Sequence, residues 1–282
     1  ILLIYMKFIF DIPGQTCNRF WSFLDLAGEA MLKGKKVYVL FPDKSFKDYP
    51  TLLNNKIIKF PFFEQACQKK GVYYKLAYNR ISFKFFNSKI GKKLGFVKGW
   101  DYCGSHKYYP QIKNDVMSLF QPSKEIQNEV EKLISTYHNR GYFIIGVHIR
   151  QGDYKTWRGG QYYFSQEEYA ELLQYLSDLY KNKKVIFYFS SNATINTSIF
   201  SHIPYITGTN NSAAFDLEAL SHCDRIIGPL STFSRWASLK GEVPLFLLEK
   251  GLRPKSDDDF HIIQSLFYYD NGETTIGKRF NI

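Results

Sequence analysis

Between Tyr142 and Ile149 the chain reads Tyr-Phe-Ile-Ile-Gly-Val-His-Ile, apolar and β-branched, with no alternation of polar residues. A strand with one wet face alternates, whereas a strand covered on both faces does not. Double coverage is typical of parallel sheets, whose crossover helices lie on the two faces, so this one run argues for an α/β fold.

The flanking chain agrees. Ser165-Gln166-Glu167-Glu168 is a capping box, opening a helix with Tyr169, Leu172, Leu173, Leu176 and Leu179 on one face. Residues 185–189, 225–227 and 244–248 read as strands, and 213–222 and 232–239 as helices. Ser123 is a fair N-cap for a helix burying Ile126, Val130, Leu133 and Ile134. Nearer the N-terminus, residues 5–11 read as a buried strand, followed by the turn Pro13-Gly14-Gln15. A helix over 18–33 follows, with Phe20, Phe23, Leu24, Ala27, Ala30 and Met31 at three- and four-residue spacing. Gly34 ends it, and 37–41 is the next strand. From Phe46 to Tyr109 the pattern is aromatic, basic and irregular, and no element is placed there. The alternation predicts parallel, doubly wound sheets in two halves, with a boundary near 136–141 and a cleft between them.

The chain has 282 residues, 45% of them apolar, and 37 Lys and Arg against 26 Asp and Glu, a formal net charge of +11. Such a composition builds a core and excludes disorder. No window approaches the roughly 20 apolar residues of a spanning helix. Four cysteines (Cys17, Cys67, Cys103 and Cys223) lack the close spacing of a zinc ribbon or redox motif. The first ten residues make a poor signal peptide, since Lys7 breaks the apolar run and no cleavage site follows. A cytoplasmic location is therefore expected, and the sequons at Asn192, Asn196 and Asn210 carry no weight there. The charge points to an anionic partner: nucleic acid, a membrane surface or a phosphorylated small molecule.

Ligands of open α/β sheets bind beyond the carboxyl ends of the strands, where His148, Arg150 and Asp153 fall. Alternation puts His148 and Arg150 on one side. Arginine suits a phosphate because it is planar, charged and bidentate. An Arg–Asp ion pair closing the strand end, beside a buried histidine, is the equal alternative. Ser231 and Thr232 open a helix after a strand, where free N–H groups favour phosphate; a plain N-cap serine is the alternative. Trp157, Arg158, Gly159, Gly160, Tyr162 and Tyr163 form an aromatic, glycine-rich loop that either stacks on sugars or packs. Asp257-Asp258-Asp259 reads as a solvated acidic loop.

Together these segments resemble a known family. His148-Ile149-Arg150-Gln151-Gly152-Asp153-Tyr154 resembles the His-x-Arg-Arg-x-Asp motif of the α1,2-, α1,6- and protein O-fucosyltransferase superfamily. Ser231-Thr232-Phe233-Ser234-Arg235-Trp236-Ala237 is similar to the Ser-Ser-Phe-Ser-x-Trp-Ala stretch of family 11, the α1,2-fucosyltransferases. Ser105-His106-Lys107-Tyr108-Tyr109 is similar to a Ser-x-Lys-Tyr-Phe stretch of the same family.

The resemblance implies an α/β fold of GT-B type, two facing Rossmann-like domains with parallel sheets. Residues 1–138 would form the acceptor side and 139–282 the GDP-sugar side. It implies inverting transfer of fucose from GDP-fucose to an oligosaccharide or polysaccharide acceptor, with no metal and no other cofactor. Arg150 then holds the β-phosphate, Asp216 reads guanine, and His148 lines the nucleotide pocket. Ser231, Thr232 and Phe233 form the phosphate loop, and Gly14 and Asn18 the turn that approaches the pyrophosphate. The resemblance does not identify the proton acceptor; candidates by position are Asp153, whose alternative part is to orient Arg150 or His148, and Asp11 at the end of the first strand. Gln151 stands where the motif has a second arginine, removing a cation near the diphosphate that Arg19 would restore. The alternatives are a GT-B enzyme using another nucleotide sugar, a non-catalytic glycan binder, or a nucleic-acid binder. Against the last, no RRM, KH or helix-turn-helix signature is present and the basic residues look dispersed. No nucleic-acid partner is expected; the surplus lysines suit solubility or peripheral contact with the inner membrane face.

Overall fold

The computed structural model describes residues 6–68, 76, 79–209 and 212–275, and the chain forms two compact units, Ile1–Ser123 and Lys124–Ile282. Tyr5, at the start of the expected first strand, and the sequon Asn210 lie outside the described residues.

In the N-terminal unit β1 (Met6–Ile9), β2 (Lys36–Val39), β3 (Ile58–Lys59) and β4 (Phe96–Val97) form a parallel sheet in the order β3-β2-β1-β4. Helix α1 (Thr16–Leu32) crosses from β1 to β2 and is buried nearly all round. The sheet covers one side of it, and the segment after β4 covers another. Asp25 explains how a carboxylate survives in that helix. Its Oδ1 accepts from the backbone N–H of Tyr108 (2.7 Å) and Tyr109 (3.0 Å), and the Ser105 hydroxyl donates to its Oδ2. Gly28 completes the fit, since a Cβ there would lie 2.6 Å from the Tyr109 nitrogen. The family-like stretch 105–109 is thus laid along α1.

Among its described residues, the region without expected elements contains helices of at most seven residues, among them Phe63–Gln68, Arg80–Phe86 and Lys89–Lys93. Aromatic contacts anchor this region: Phe46 stacks on Phe20 (5.4 Å between centroids) and Phe86 on Phe96 (4.5 Å). Elements this short carry no periodicity to read.

The C-terminal unit begins with α2 (Lys124–His138). It continues through β5 (Tyr142–Ile149), α3 (Gln166–Leu179), β6 (Lys184–Ser191), β7 (Tyr205–Thr207), α4 (Ala213–Leu220), β8 (Arg225–Pro229), α5 (Thr232–Gly241) and β9 (Leu245–Leu248). The sheet is parallel throughout, in the order β7-β6-β5-β8-β9, the arrangement of dinucleotide-binding folds. Its core gathers Ile145, Val147, Ile149, Leu173, Leu176, Phe187 and Phe189. A hairpin of β10 (Ile263–Ser265) and β11 (Tyr268–Tyr269) follows. The expected boundary after residue 138 moves to 123/124 because α2 packs on β5 and α4. The Asp224 carboxylate fixes that packing by accepting from the backbone N–H of Ile144 (2.7 Å) and lying 3.1 Å from the His138 ring at the end of α2.

Candidate functional site

In the order β7-β6-β5-β8-β9 the direction of winding reverses between β5 and β8, and the crevice beyond their carboxyl ends is the ligand site of such sheets. The residues reaching it are His148 and Arg150 from β5, and Leu230, Ser231 and Thr232 after β8. Gly228 on β8 lets the strands close there, since a Cβ on it would lie 2.8 Å from the His148 Cβ. A second tie joins the two loops: the Tyr154 hydroxyl donates to the Leu230 carbonyl at 2.6 Å.

Arg150 and Asp153 do form an ion pair, Nη2 to Oδ2 at 3.0 Å, and the guanidinium lies 5.4 Å over the Tyr154 ring. The pair leaves Arg150 Nε buried without a hydrogen-bond partner. His148 is buried, with its ring 5.1 Å from that of Phe233, and its Nδ1 also lacks a partner. Burial, with Arg150 nearby, pushes its pKa down to about 3, so the imidazole is neutral at working pH. A buried polar atom left unmatched costs about 1–3 kcal/mol. Two of them at one strand end leave unused bonding capacity in the crevice. Ser231 caps α5, accepting from the Phe233 N–H at 3.2 Å. That cap still leaves the positive end of a ten-residue helix in the crevice.

Asp216 is in the first turn of α4 and reaches the end of β6. The Tyr188 hydroxyl donates to its Oδ1 (2.6 Å) and the Ser190 hydroxyl to its Oδ2 (3.0 Å). Ser190 is the register partner of His148, so Asp216 is one strand away from it. Burial pushes the Asp216 carboxyl up to about 6, against the two hydroxyl bonds that pull it down. Each oxygen keeps further acceptor capacity.

Gln151 departs from expectation. Its side chain is buried away from Arg150, donating to the Phe164 carbonyl (3.1 Å) and accepting from Gln166 Nε2 (3.2 Å). Its backbone N–H donates to Asn192 Oδ1 at 2.8 Å. The position faces the body of the unit, so glutamine there removes no cation from the crevice. Arg19 is also engaged elsewhere. It is buried, donates to the carbonyls of Gly14 and Phe41, and lies 3.6 Å from Asp43.

In the N-terminal unit Gly14 (φ +45°) and Asn18 come together: a Cβ on Gly14 would lie 2.1 Å from Asn18 Nδ2. Asp11 follows β1, and its carboxylate accepts from the N–H groups of Gly99 (2.7 Å) and Trp100 (2.9 Å) beyond β4. Burial raises its pKa despite those bonds. Asp257, in the acidic triplet, is an anchor rather than a free loop residue. It accepts from Arg225 (3.2 Å) and from the Tyr180 hydroxyl (2.5 Å). In the aromatic loop the rings of Tyr154, Trp157 and Tyr162 form a continuous stack, with Trp157 exposed.

Tyr154, the tie between the two loops, and Asp25, the anchor of α1, were given no role from sequence. Both act on backbone groups far along the chain, which no spacing rule reveals.

Among solved structures the chain is similar to the fucosyltransferase NodZ from Bradyrhizobium, at 13% identity over 88% of this chain and 96% of that chain, TM-score 0.56. A NodZ alpha-1,6-fucosyltransferase structure soaked with GDP-fucose is 14% identical over 86% and 95%, TM-score 0.54. At such identity the likeness shows the fold, α/β of GT-B type with two parallel sheets. A search of curated proteins returns no match. The model of the family described as "Glycosyl transferase family 11" matches residues 58–265, well over half of the chain. This chain belongs to glycosyl transferase family 11.

Proposed function

We propose that the protein transfers fucose from GDP-fucose to the 2-hydroxyl of a galactose-terminated oligosaccharide or polysaccharide. The observation that carries the reading is Arg150. It is a permanent cation with a buried, unpartnered Nε, oriented by Asp153, in the same crevice as the N-terminus of α5. A diphosphate satisfies both features. The family match supports glycosyl transfer, and the Ser231–Ala237 stretch supports the α1,2 linkage.

In the step itself the acceptor oxygen bonds to C1 of fucose from the face opposite the nucleotide, while the bond from C1 to the diphosphate oxygen breaks. The electron pair leaves on the β-phosphate. Arg150 and the α5 N–H groups stabilise that charge in place of a metal ion. Ser231, Thr232 and Phe233 form the turn that presents those groups. His148, neutral, offers a hydrogen bond without adding charge. Asp216 accepts from N1–H and N2–H of guanine, a pair of donors that uracil and adenine lack. Asp153 is a positioning residue for Arg150. Gly14 and Asn18 form the turn of the N-terminal unit on the acceptor side.

Asp11 is assigned the acceptor's proton, because burial already raises its affinity for one. Asp11→Asn is expected to lower kcat by about a hundredfold or more, with the affinity for GDP unchanged. A variant that melts earlier but turns over normally would leave Asp11 as a loop staple only.

The function as a whole is tested by thermal shift with GDP, UDP and ADP. GDP alone is expected to raise Tm, by about 2.7 kcal/mol of added stability at a hundred times its Kd. Equal shifts with all three nucleotides would remove the guanine-reading role, and no shift with any would remove the donor site.

A further inference from the structure

The cations look dispersed along the chain, but the folded N-terminal unit collects some of them. From residue 79 to residue 100 there are six Lys and Arg and no Asp or Glu. Arg80, Lys84, Lys89, Lys92 and Lys93 are exposed, and none of the five is in an ion pair among the described residues. Interleaved with them are exposed apolar side chains: Ile81 (77%), Ile90 (64%), Phe85 (47%) and Phe83 (42%).

The segment is a built element, two short helices fixed against each other. The Asn79 side chain caps the first by accepting from the N–H of Ile81 (2.7 Å) and Ser82 (3.3 Å). Ser88 caps the second by accepting from the Gly91 N–H at 3.0 Å. Gly91 is what lets them close, since a Cβ there would lie 2.4 Å from the Phe86 carbonyl oxygen. Phe86 turns inward and anchors the pair on Phe96 (4.5 Å) and Phe10 (5.4 Å). With Phe86 inside, Ile81 and Ile90 remain outside.

Large exposed aliphatic side chains are uneconomical on a surface that meets only water. Set among unpaired cations, they match the headgroup region of a bilayer. Phosphates there neutralise the lysines, and the acyl boundary receives the isoleucines. A polyanion in water supplies the first half of that match and not the second. We propose that the helix pair 80–93 docks the protein on an anionic lipid surface. The surface belongs wholly to the N-terminal unit and does not depend on the donor site. It places the acceptor's source at the membrane, among lipid-linked or surface glycans.

The test is co-sedimentation of the full chain with phosphatidylcholine vesicles, with and without phosphatidylglycerol. Binding is expected only with phosphatidylglycerol, weakening as salt rises. Lys92→Gln with Lys93→Gln is expected to reduce partitioning by about fivefold per cation. Ile81→Ser with Ile90→Ser is expected to reduce it by about tenfold or more. Both double variants keep the parent melting temperature and the parent rate on a soluble acceptor. Equal binding to both vesicles, no binding to either, or binding indifferent to the isoleucine pair would overturn the proposal. Capture of single-stranded oligonucleotides that needs the lysines but not the isoleucines would overturn it in favour of nucleic acid.

Discussion

Arg150→Ala is expected to reduce kcat/KM for GDP-fucose by about a thousandfold, with the melting temperature of the free protein nearly unchanged. The size follows from what the residue does in the transition state. In the proposed step negative charge grows on the β-phosphate as the C1–O bond breaks, and the substitution removes a cation placed at the carboxyl end of β5. The fold is expected to survive because, among the described residues, the guanidinium bonds to no backbone group; its contacts there are Asp153 and the face of Tyr154. Arg150→Lys restores charge without the planar fork and should recover only part of the loss. Chelating agents are expected to leave the parent rate unaltered. Activity of the alanine variant within about tenfold of the parent would reject the phosphate role, and inhibition by EDTA would reject a metal-free departure of GDP.

The second large effect concerns Asp216, where folding and donor binding pull in opposite directions. Its carboxyl titrates at about 6 rather than at 3.8. The folded protein therefore takes up the proton more readily than the unfolded chain does. The stability this group contributes is full below 3.8 and is lost as the pH rises through 6. The loss is on the order of 3 kcal/mol. Guanine, read by Asp216 as proposed, needs the ionised form. The KM for GDP-fucose is expected to be flat above pH 6 and to climb by up to about tenfold per pH unit below it. GDP-fucose suits the measurement because its diphosphate carries no terminal oxygen that titrates in the same window. Asp216→Asn should raise the Tm of the free protein at pH 8, abolish the acid limb, and weaken GDP-fucose binding by about 10- to 100-fold. An asparagine variant with parent affinity would leave Asp216 as the clamp on Tyr188 and Ser190 only.

What could be read before folding follows the length of the elements. Strand β5 was read to the residue, because burial on both faces removes every polar interruption. Helix α3 was read because its capping box is local and is formed as expected, Ser165 and Glu168 each bonding the other's backbone. The segment 46–109 was unreadable for the opposite reason. The helices and strands among its described residues are too short to show a period, and partners elsewhere in the unit, such as Phe10, Phe20 and Phe23, hold them. The family motifs singled out residues that the fold brings together, His148, Arg150, Ser231 and Phe233 in one crevice and Asp216 a strand away. The alternation that pairs His148 with Arg150 puts Gln151 on the other side, where it bonds Phe164 and Gln166, so the glutamine removes no cation from the crevice. The helix α2 and its buried face could be read, but not the unit it joins, which its packing on β5 and α4 and the approach of Asp224 to His138 decide.

The tie between Tyr154 and Leu230 joins residues 76 positions apart. Before β8 docks beside β5, Arg150 exists but the crevice does not. Closing so long a loop costs entropy that the sheet and its covering helices must offset, so the proposed donor site depends on the completed strand order. A nucleotide then recognises only the finished sheet. On the proposed function, a bound nucleotide would slow unfolding without hastening folding, so donor would act on how long the folded protein persists rather than on how quickly it forms.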